Sequence, residues 1–310
     1  MKNFSFVLFV LFLLCPVCVT LGKTLPDQFN NKDVRGWIIL SDDMNAAIQT
    51  IKAAKEYDIN QLQLSHEIIH DLREIKTEKV CAQVNELVNL AHSEEINEVL
   101  LWDHSLYDID YYPERFRTGP GGTIDLDNTE FWEWLKDDYR QMLDRVSEAD
   151  GLVLTFIETG AYAERQFSKK MKSSEEKLAA VVNAISDVLI GERKKKLYIR
   201  TFAYSEEEYK GTTGCIEYLK YDEVILMMKE TPHDFFLTHP DNYYIQKMDR
   251  PVIVEFDLGN EYSGQGVVAN TWPEHVMKRW NSYIHCPNVT GYVARTDRYG
   301  NTSIVNTANA

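Results

Sequence analysis

The chain has 310 residues, 44% hydrophobic and 26% charged, with a net charge of −15. That is enough for one large domain or two small ones around a sizeable core. The acidic balance, with no basic run beyond Lys194-Lys195-Lys196, argues against nucleic acid or an anionic membrane as partner, while leaving room for a local Arg and Lys pocket that takes an acidic substrate.

The N-terminus reads as a secretory signal. Met1-Lys2 leads into the apolar run 6–14 and then into small residues, with cleavage placed after Gly22. Cys15 and Cys18 leave a lipoprotein anchor as the less favoured alternative. The expected location is secreted or periplasmic. Residues 23–34 form a polar leader, and residues 35–310 the remaining domain. No later segment has the ~18 continuous apolar residues of a membrane span. Cys81, Cys215 and Cys286 then follow, too few and too scattered for a disulfide framework or a zinc cluster.

After the leader the chain alternates between short apolar runs and helical spacing. Residues 35–40 (RGWIIL) predict a strand, 45–56 a helix, 60–64 (NQLQL) a strand and 78–92 an amphipathic helix. Strands are predicted at 98–102, 151–157, 197–202, 223–228, 251–256 and 290–294. Helices are predicted at 129–146, capped by Asp127 or Asn128, at 175–189, as a short piece at 214–219, and at 273–284. Eight buried-looking strands, most separated by helices, predict a parallel sheet closed as a (β/α)8 TIM barrel, its last helix short or missing. An open doubly wound sheet is the competing fold, but no G-x-G-x-x-G follows the first strand.

The stretch SHEIIHD, residues 65–71, contains the H-E-x-x-H pattern of zinc proteases. That chemistry needs a helix, so that both imidazoles share a face, and a third ligand. NQLQL before it reads as a strand. His66 is therefore expected at a strand end lining the barrel mouth, and His70 in a loop or at the surface. No metal and no cofactor are expected.

Barrel enzymes carry their chemistry at the C-terminal ends of the strands. Those ends hold His66, Trp102-Asp103-His104, Glu158, Arg200, Lys229 with Asp234, Asp257 with Glu261, and Arg295. Acids, bases and aromatics gathered on one rim suit a polar ligand such as a sugar. Cleaving a glycosidic bond takes two carboxyl groups, one protonating the leaving oxygen and one activating water or attacking. Glu158, Asp234 and Glu261 are the candidate catalytic carboxylates; Arg200, Lys229, Trp102, Asp103, His66 and Trp272 are the candidate substrate-binding residues. Trp132, Trp134 and Trp280 sit in helices and are expected to pack.

The segments KETPHDF and EF-x-x-x-NEYSGQG, with FIETG and IRTFAY upstream, resemble the family 67 glycoside hydrolases, the α-glucuronidases, over roughly residues 96 to 295. The resemblance implies Glu158 as general acid and Asp234 with Glu261 as the pair that positions and deprotonates water. It implies Arg200 and Lys229 beside the uronate carboxylate, and inversion at the anomeric carbon, which requires ~6.5–9.5 Å between acid and base. A general acid must hold its proton near neutral pH, so Glu158 is expected to be partly desolvated or beside another carboxylate. The chain departs from the family at Leu154, where the family has a substrate-binding lysine, and in lacking its flanking domains. The expected function is a secreted glycoside hydrolase acting on an oligosaccharide or polysaccharide, with a non-catalytic carbohydrate-binding barrel as the alternative.

Overall fold

In the computed structural model, residues 32–40, 43–258 and 273–296 are described. Eight parallel strands close on themselves in sequence order. They are β1 (Val34–Ile39), β2 (Gln61–Leu64), β3 (Glu98–His104), β4 (Gly151–Thr155), β5 (Lys196–Arg200), β6 (Ile225–Lys229), β7 (Val252–Phe256) and β8 (Val289–Arg295). The ring is sealed where β1 pairs with β8, from Val34 opposite Gly291 to Ile38 opposite Arg295. The chain is a (β/α)8 barrel. Residues 1–31, where a secretory signal was expected, and the residues beyond 296, where the last helix was expected to be short or missing, lie outside the described residues.

The helices are α1 (Met44–Ala54), α2 (Glu78–Ser93), α3 (Thr129–Arg145), α4 (Ser174–Ser186), α5 (Glu206–Gly214) and α6 (Pro273–Tyr283). Local chemistry starts them. Asn128, not Asp127, caps α3 through a 2.9 Å bond from the Glu130 amide. Ser173 and Glu176 form a reciprocal capping box at the start of α4. Asp127 instead accepts from Ser168 and the Lys169 amide, tying a rim loop to the α3 entry. The β6–β7 connection contains a single short 3-10 turn, Ile245–Lys247, and no α-helix. No helix among the described residues is long and apolar enough to cross a membrane.

Both faces of a barrel strand are buried, so the residues alternate between the lumen and the helix layer. Ile38, Leu100, Trp102, Val153, Tyr198, Met227, Ile253 and Val293 pack together inside. At β2 the usual pattern is inverted. Gln61 and Gln63 face the lumen, while Leu62 and Leu64 are buried on the other side. The two glutamines extend a continuous buried chain. Trp102 Nε1 donates to Gln63, Gln63 to Gln61, and Gln61 to both Glu98 and Tyr198. Each buried amide is thereby satisfied, as burial demands. Gly36 makes room for this chain, since a Cβ there would stand 3.1 Å from the Gln61 carbonyl oxygen and 3.0 Å from Val293.

Candidate functional site at the barrel mouth

The same alternation that fills the lumen puts Arg200, Lys229, Glu255 and Arg295 in its top layer, two residues beyond Tyr198, Met227, Ile253 and Val293. Arg200 grips Glu255 with both prongs, Nε to Oε2 at 2.7 Å and Nη2 to Oε1 at 2.9 Å. Arg295 approaches the same carboxylate at 3.4 Å. All three side chains are buried. Burial alone would raise the Glu255 carboxyl, but Arg200 and Arg295 outweigh it and hold the group below its ordinary value. Arg200 Nη1 is buried with no hydrogen-bond partner.

Lys229 stands beside this pair. Its ammonium lies 2.5 Å from Asp234 Oδ1 and 3.4 Å from the Phe202 ring centroid. Burial, followed by the nearby Arg200 charge, lowers it to about 8. Asp234 is thus carried to the rim by the loop after β6 and fixed there by a buried lysine.

Glu158 follows β4 in the left-handed region, with φ of +59°. Such a conformation in a non-glycine residue costs on the order of 1–3 kcal/mol and is kept only where the surroundings impose it. Two contacts do so. Ala161 donates to the Leu106 carbonyl at 3.1 Å, and Gly160 packs so close to Asp108 that a Cβ would meet it at 2.3 Å. Tyr204, on the loop after β5, donates to Glu158 Oε1 at 2.9 Å. The charges of both Glu158 and Asp234 reach the Tyr204 hydroxyl, which places the two acids on one rim.

The electrostatics of Glu158 depart from the expectation of a protonated acid. Burial pushes its carboxyl up, but the Arg200 charge, the Tyr204 hydrogen bond, His104 and Lys229 together hold it below the ordinary carboxylate range. At neutral pH Glu158 is therefore ionised.

Two further expectations are corrected. Asp103 is not in the mouth. It faces outward between the lumen residues Trp102 and His104, where it accepts from the Leu72 amide (2.9 Å), Tyr107 (2.9 Å) and Tyr139 (2.5 Å). It ties β3 to the turn after β2 and to α3. Trp102 does face inward, but it is fully buried, with its indole N–H spent on Gln63. It forms a floor against which Arg200 packs, 4.9 Å from the ring, and presents no face for a sugar. Leu154 is buried in the helix layer, because Val153 is the lumen residue of that pair. Glu261 and Trp272 lie outside the described residues. Among the packing tryptophans, Trp132 donates to Leu126, Trp134 meets Tyr111, Tyr112 and Phe116, and Trp280 is buried against Phe256 and Tyr292.

His66 takes the expected place at the end of β2, with φ of +48°. It packs 5.2 Å from the Trp102 ring and hydrogen-bonds to Ser65. Burial, then Arg295 and Arg200, lower it well below its ordinary value, so it is neutral. The segment from His66 to Asp71 is a series of turns rather than a helix, and the zinc-protease geometry is absent from it. His70, Asp71 and His104 bring ligand-capable atoms within 4.8 Å of one another. Other contacts already engage these groups. The His70 and His104 rings stack at 3.7 Å and 9°, so their lone pairs run side by side, and Asp71 is already bonded to His70 Nδ1. A separate cavity of about 250 Å³ lies behind the β4 loop, lined by Phe156, Ile157, Tyr162, Glu164, Leu178 and Ser205 among others. None of the mouth residues lines it.

Among solved structures, the chain is similar to CpGH84B, a family 84 glycoside hydrolase. The TM-score is 0.58 at 12% identity, covering 90% of this chain and 48% of that one. It is also similar to a variant of NCR from Zymomonas mobilis, an oxidoreductase, with a TM-score of 0.52 at 12% identity, covering 84% and 82%. The chain spans about half the length of the family 84 structure. At this identity the two likenesses establish the shared barrel, and their differing chemistries show that the barrel alone does not choose a reaction. No family model and no curated protein matches the chain.

Proposed function

We propose that the chain is a secreted glycoside hydrolase of the α-glucuronidase kind, cleaving a uronic-acid-bearing oligosaccharide or polysaccharide with inversion. The observation that carries this reading is the pairing of a cationic floor with an acidic rim. Arg200 Nη1, buried and without a hydrogen-bond partner among the described residues, lies beside Lys229, and together they form a cationic floor complementary to a sugar carboxylate that opens a path to it. Glu158 accepts from the Tyr204 hydroxyl, Asp234 pairs with Lys229, and both charges are felt at that hydroxyl. The resemblance of KETPHDF and FIETG to family 67 supports the same substrate class. In this reading the uronate enters first and anchors on the floor, which leaves the bond to be broken at the level of the two rim carboxylates. Asp234, with Glu261, prepares the attacking water.

A product screen on uronic-acid-bearing oligosaccharides, read by mass and by NMR for anomeric configuration, tests it. The expected result is release of a free uronic acid of inverted configuration, abolished in a folded Glu158→Gln variant. Binding of such glycans without product would leave the barrel as a carbohydrate-binding protein. Neither binding nor product would remove the carbohydrate reading altogether.

A further inference from the structure

The top layer of the lumen holds more polar atoms than its own pairings use. Ser65 bonds to His66, Lys229 to Asp234, and Glu255 to Arg200 and Arg295. Three successive strands carry atoms left over. His104 Nε2 on β3, Thr155 Oγ1 on β4 and Arg200 Nη1 on β5 are buried without a hydrogen-bond partner among the described residues. The sheet register sets them side by side, with His104 opposite Thr155 and Thr155 opposite Arg200. None of the three residues is more than 1% exposed.

Each of these atoms has a definite sense. The His70 carbonyl lies 2.6 Å from His104 Nδ1. A carbonyl only accepts, so His104 Nδ1 carries the hydrogen and His104 Nε2 is a bare lone pair. Burial lowers His104 to about 4, so it remains an acceptor at neutral pH. Arg200 Nη1 can only donate, and the Thr155 hydroxyl can do either. The row therefore runs acceptor, hydroxyl, donor from β3 to β5. Arg200 and His104 also share one floor, 4.9 and 6.1 Å from the Trp102 ring.

Unpaired buried polar atoms cost stability, and folded chains keep them where a ligand or a water completes them. The sense of the row narrows the ligand. A bare anion satisfies Arg200 but is repelled by the lone pair of His104. A neutral sugar satisfies His104 but gives the guanidinium no charge to meet. A molecule with a carboxylate and a hydroxyl along one edge satisfies both ends, and Thr155 lies between them to bond with either. Thr155 stands three residues before Glu158, so the row lies beneath the acidic rim.

We propose that His104, Thr155 and Arg200 form one recognition row for a hydroxylated carboxylate, with Arg200 Nη1 donating to the carboxylate and His104 Nε2 accepting from a hydroxyl of the same sugar ring. The inference rests on the uronide reading of the mouth and deepens it. It makes His104 and Thr155 specificity-determining residues and leaves bond breaking to the carboxylates. All three atoms are buried, so the ligand reaches the row by moving side chains of the rim. His66, partly exposed and 6.2 Å from the His104 ring, is one such side chain.

The test measures binding of three small probes to the full chain. Glucuronate carries the carboxylate and the hydroxyls. Tetrahydropyran-2-carboxylate keeps the ring and the carboxylate without hydroxyls, and glucose keeps hydroxyls without the carboxylate. Glucuronate should bind more tightly than either by at least about fivefold, the lower end of what an unpaired buried group costs. In NMR spectra of isotopically labelled histidines, the His104 Nε2 resonance should move upfield with glucuronate and stay in place with tetrahydropyran-2-carboxylate. Thr155→Val keeps the shape and removes a hydroxyl that no described residue uses. It should weaken glucuronate by about 5–150-fold, with the melting temperature unchanged or raised. The spectra need no variant, so they decide the matter should Thr155→Val fail to fold. A His104 resonance that ignores glucuronate, or responds equally to the hydroxyl-free acid, overturns the inference. So does glucose binding as tightly as glucuronate. A Thr155→Val chain that loses stability and keeps its affinity also overturns it, since the row would then hold a structural water only. Cleavage of uronic-acid-bearing oligosaccharides without binding of any probe removes the row and leaves the hydrolase reading; no binding and no cleavage removes both.

Discussion

Glu255 offers the sharpest test of the mouth's electrostatics, independent of any substrate. Its fully buried carboxylate accepts two bonds from Arg200 and faces Arg295 at 3.4 Å. Glu255→Gln keeps the shape and removes the charge, leaving Arg200, Arg295 and Lys229 without it in a buried layer. Breaking a buried ion pair by removing one partner costs about 3–5 kcal/mol. For a domain of this size each kcal/mol moves the melting temperature by about 2–4 °C, so the loss should be roughly 6–20 °C at neutral pH. The pH dependence follows from the sign of the shift. Burial raises the Glu255 carboxyl, but the arginines outweigh it, and the folded value lies below the unfolded one. Its contribution is therefore fully present above the unfolded glutamate value of about 4.3 and is lost as pH falls through the folded value. Paired thermal melts of wild type and Glu255→Gln across pH 3 to 7 would check this. The gap should be widest near pH 7 and close in acid. A neutral-pH gap under about 1 kcal/mol, or one that stays constant into acid, would refute the account of Glu255 as the counter-charge of the mouth.

Other outcomes follow from neighbouring groups. Burial pushes Asp103 up to about 6 against bonds from Tyr139, Leu72 and Tyr107. Wild-type stability should fall by roughly 3 kcal/mol as pH climbs from about 4 to about 6, since the unfolded acid ionises first. Asp103→Asn should flatten that slope in urea midpoints, and an unchanged slope would remove Asp103 as its source. Tyr204→Phe takes one bond from ionised Glu158 and should raise its pKa by carboxyl-selective NMR. Tyr204 is 58% exposed, so stability should stay within about 0.5 kcal/mol. Activity should survive a chelator, because His70 Nδ1 is bonded to Asp71 and His104 Nδ1 to the His70 carbonyl; chelator-sensitive activity restored by added zinc would reinstate the metal reading.

All eight strands were legible, because a barrel strand buried on both faces reads as a short apolar run between turn signals. That same burial hides which residue of a pair faces inward. Trp102 and Asp103 stand side by side on β3, and pattern alone gives no parity. The structure sends the indole to the lumen floor and the carboxylate outward to Tyr107 and Tyr139. Lys229 and Glu230 repeat the lesson. Lys229 turns in, while Glu230 meets Arg279 of α6 at 2.9 Å and is pushed up to about 7 by burial. The glutamines of NQLQL read as the polar face of a strand, yet they line the lumen, because Trp102, Tyr198 and Glu98 form a polar ladder for them. His70 was visible as part of a metal motif, but the turn that sets its contacts was not: it bonds His70 to Asp71, whose second oxygen accepts from Arg73.

In the proposed reading, the depth of the charges sets how the ligand lies. Arg200, Lys229 and Arg295 are all buried in the top layer of the lumen, and Glu255 balances only part of that charge. Asp234 and Glu158 supply the remaining negative charge from loops one step higher. A neutral sugar gains little from this gradient. An anionic group gains by entering first, because it meets the unpartnered Arg200 Nη1 where water competes least. The two rim carboxylates repel it from their own level, which enforces the same direction of entry. In the proposed reading the ligand's charged end is held below, and its next bond lies between Glu158 and Asp234. In that reading orientation is set by the vertical separation of charge, and neutralising Arg200 should scramble it while also stripping buried Glu255 of its bidentate partner.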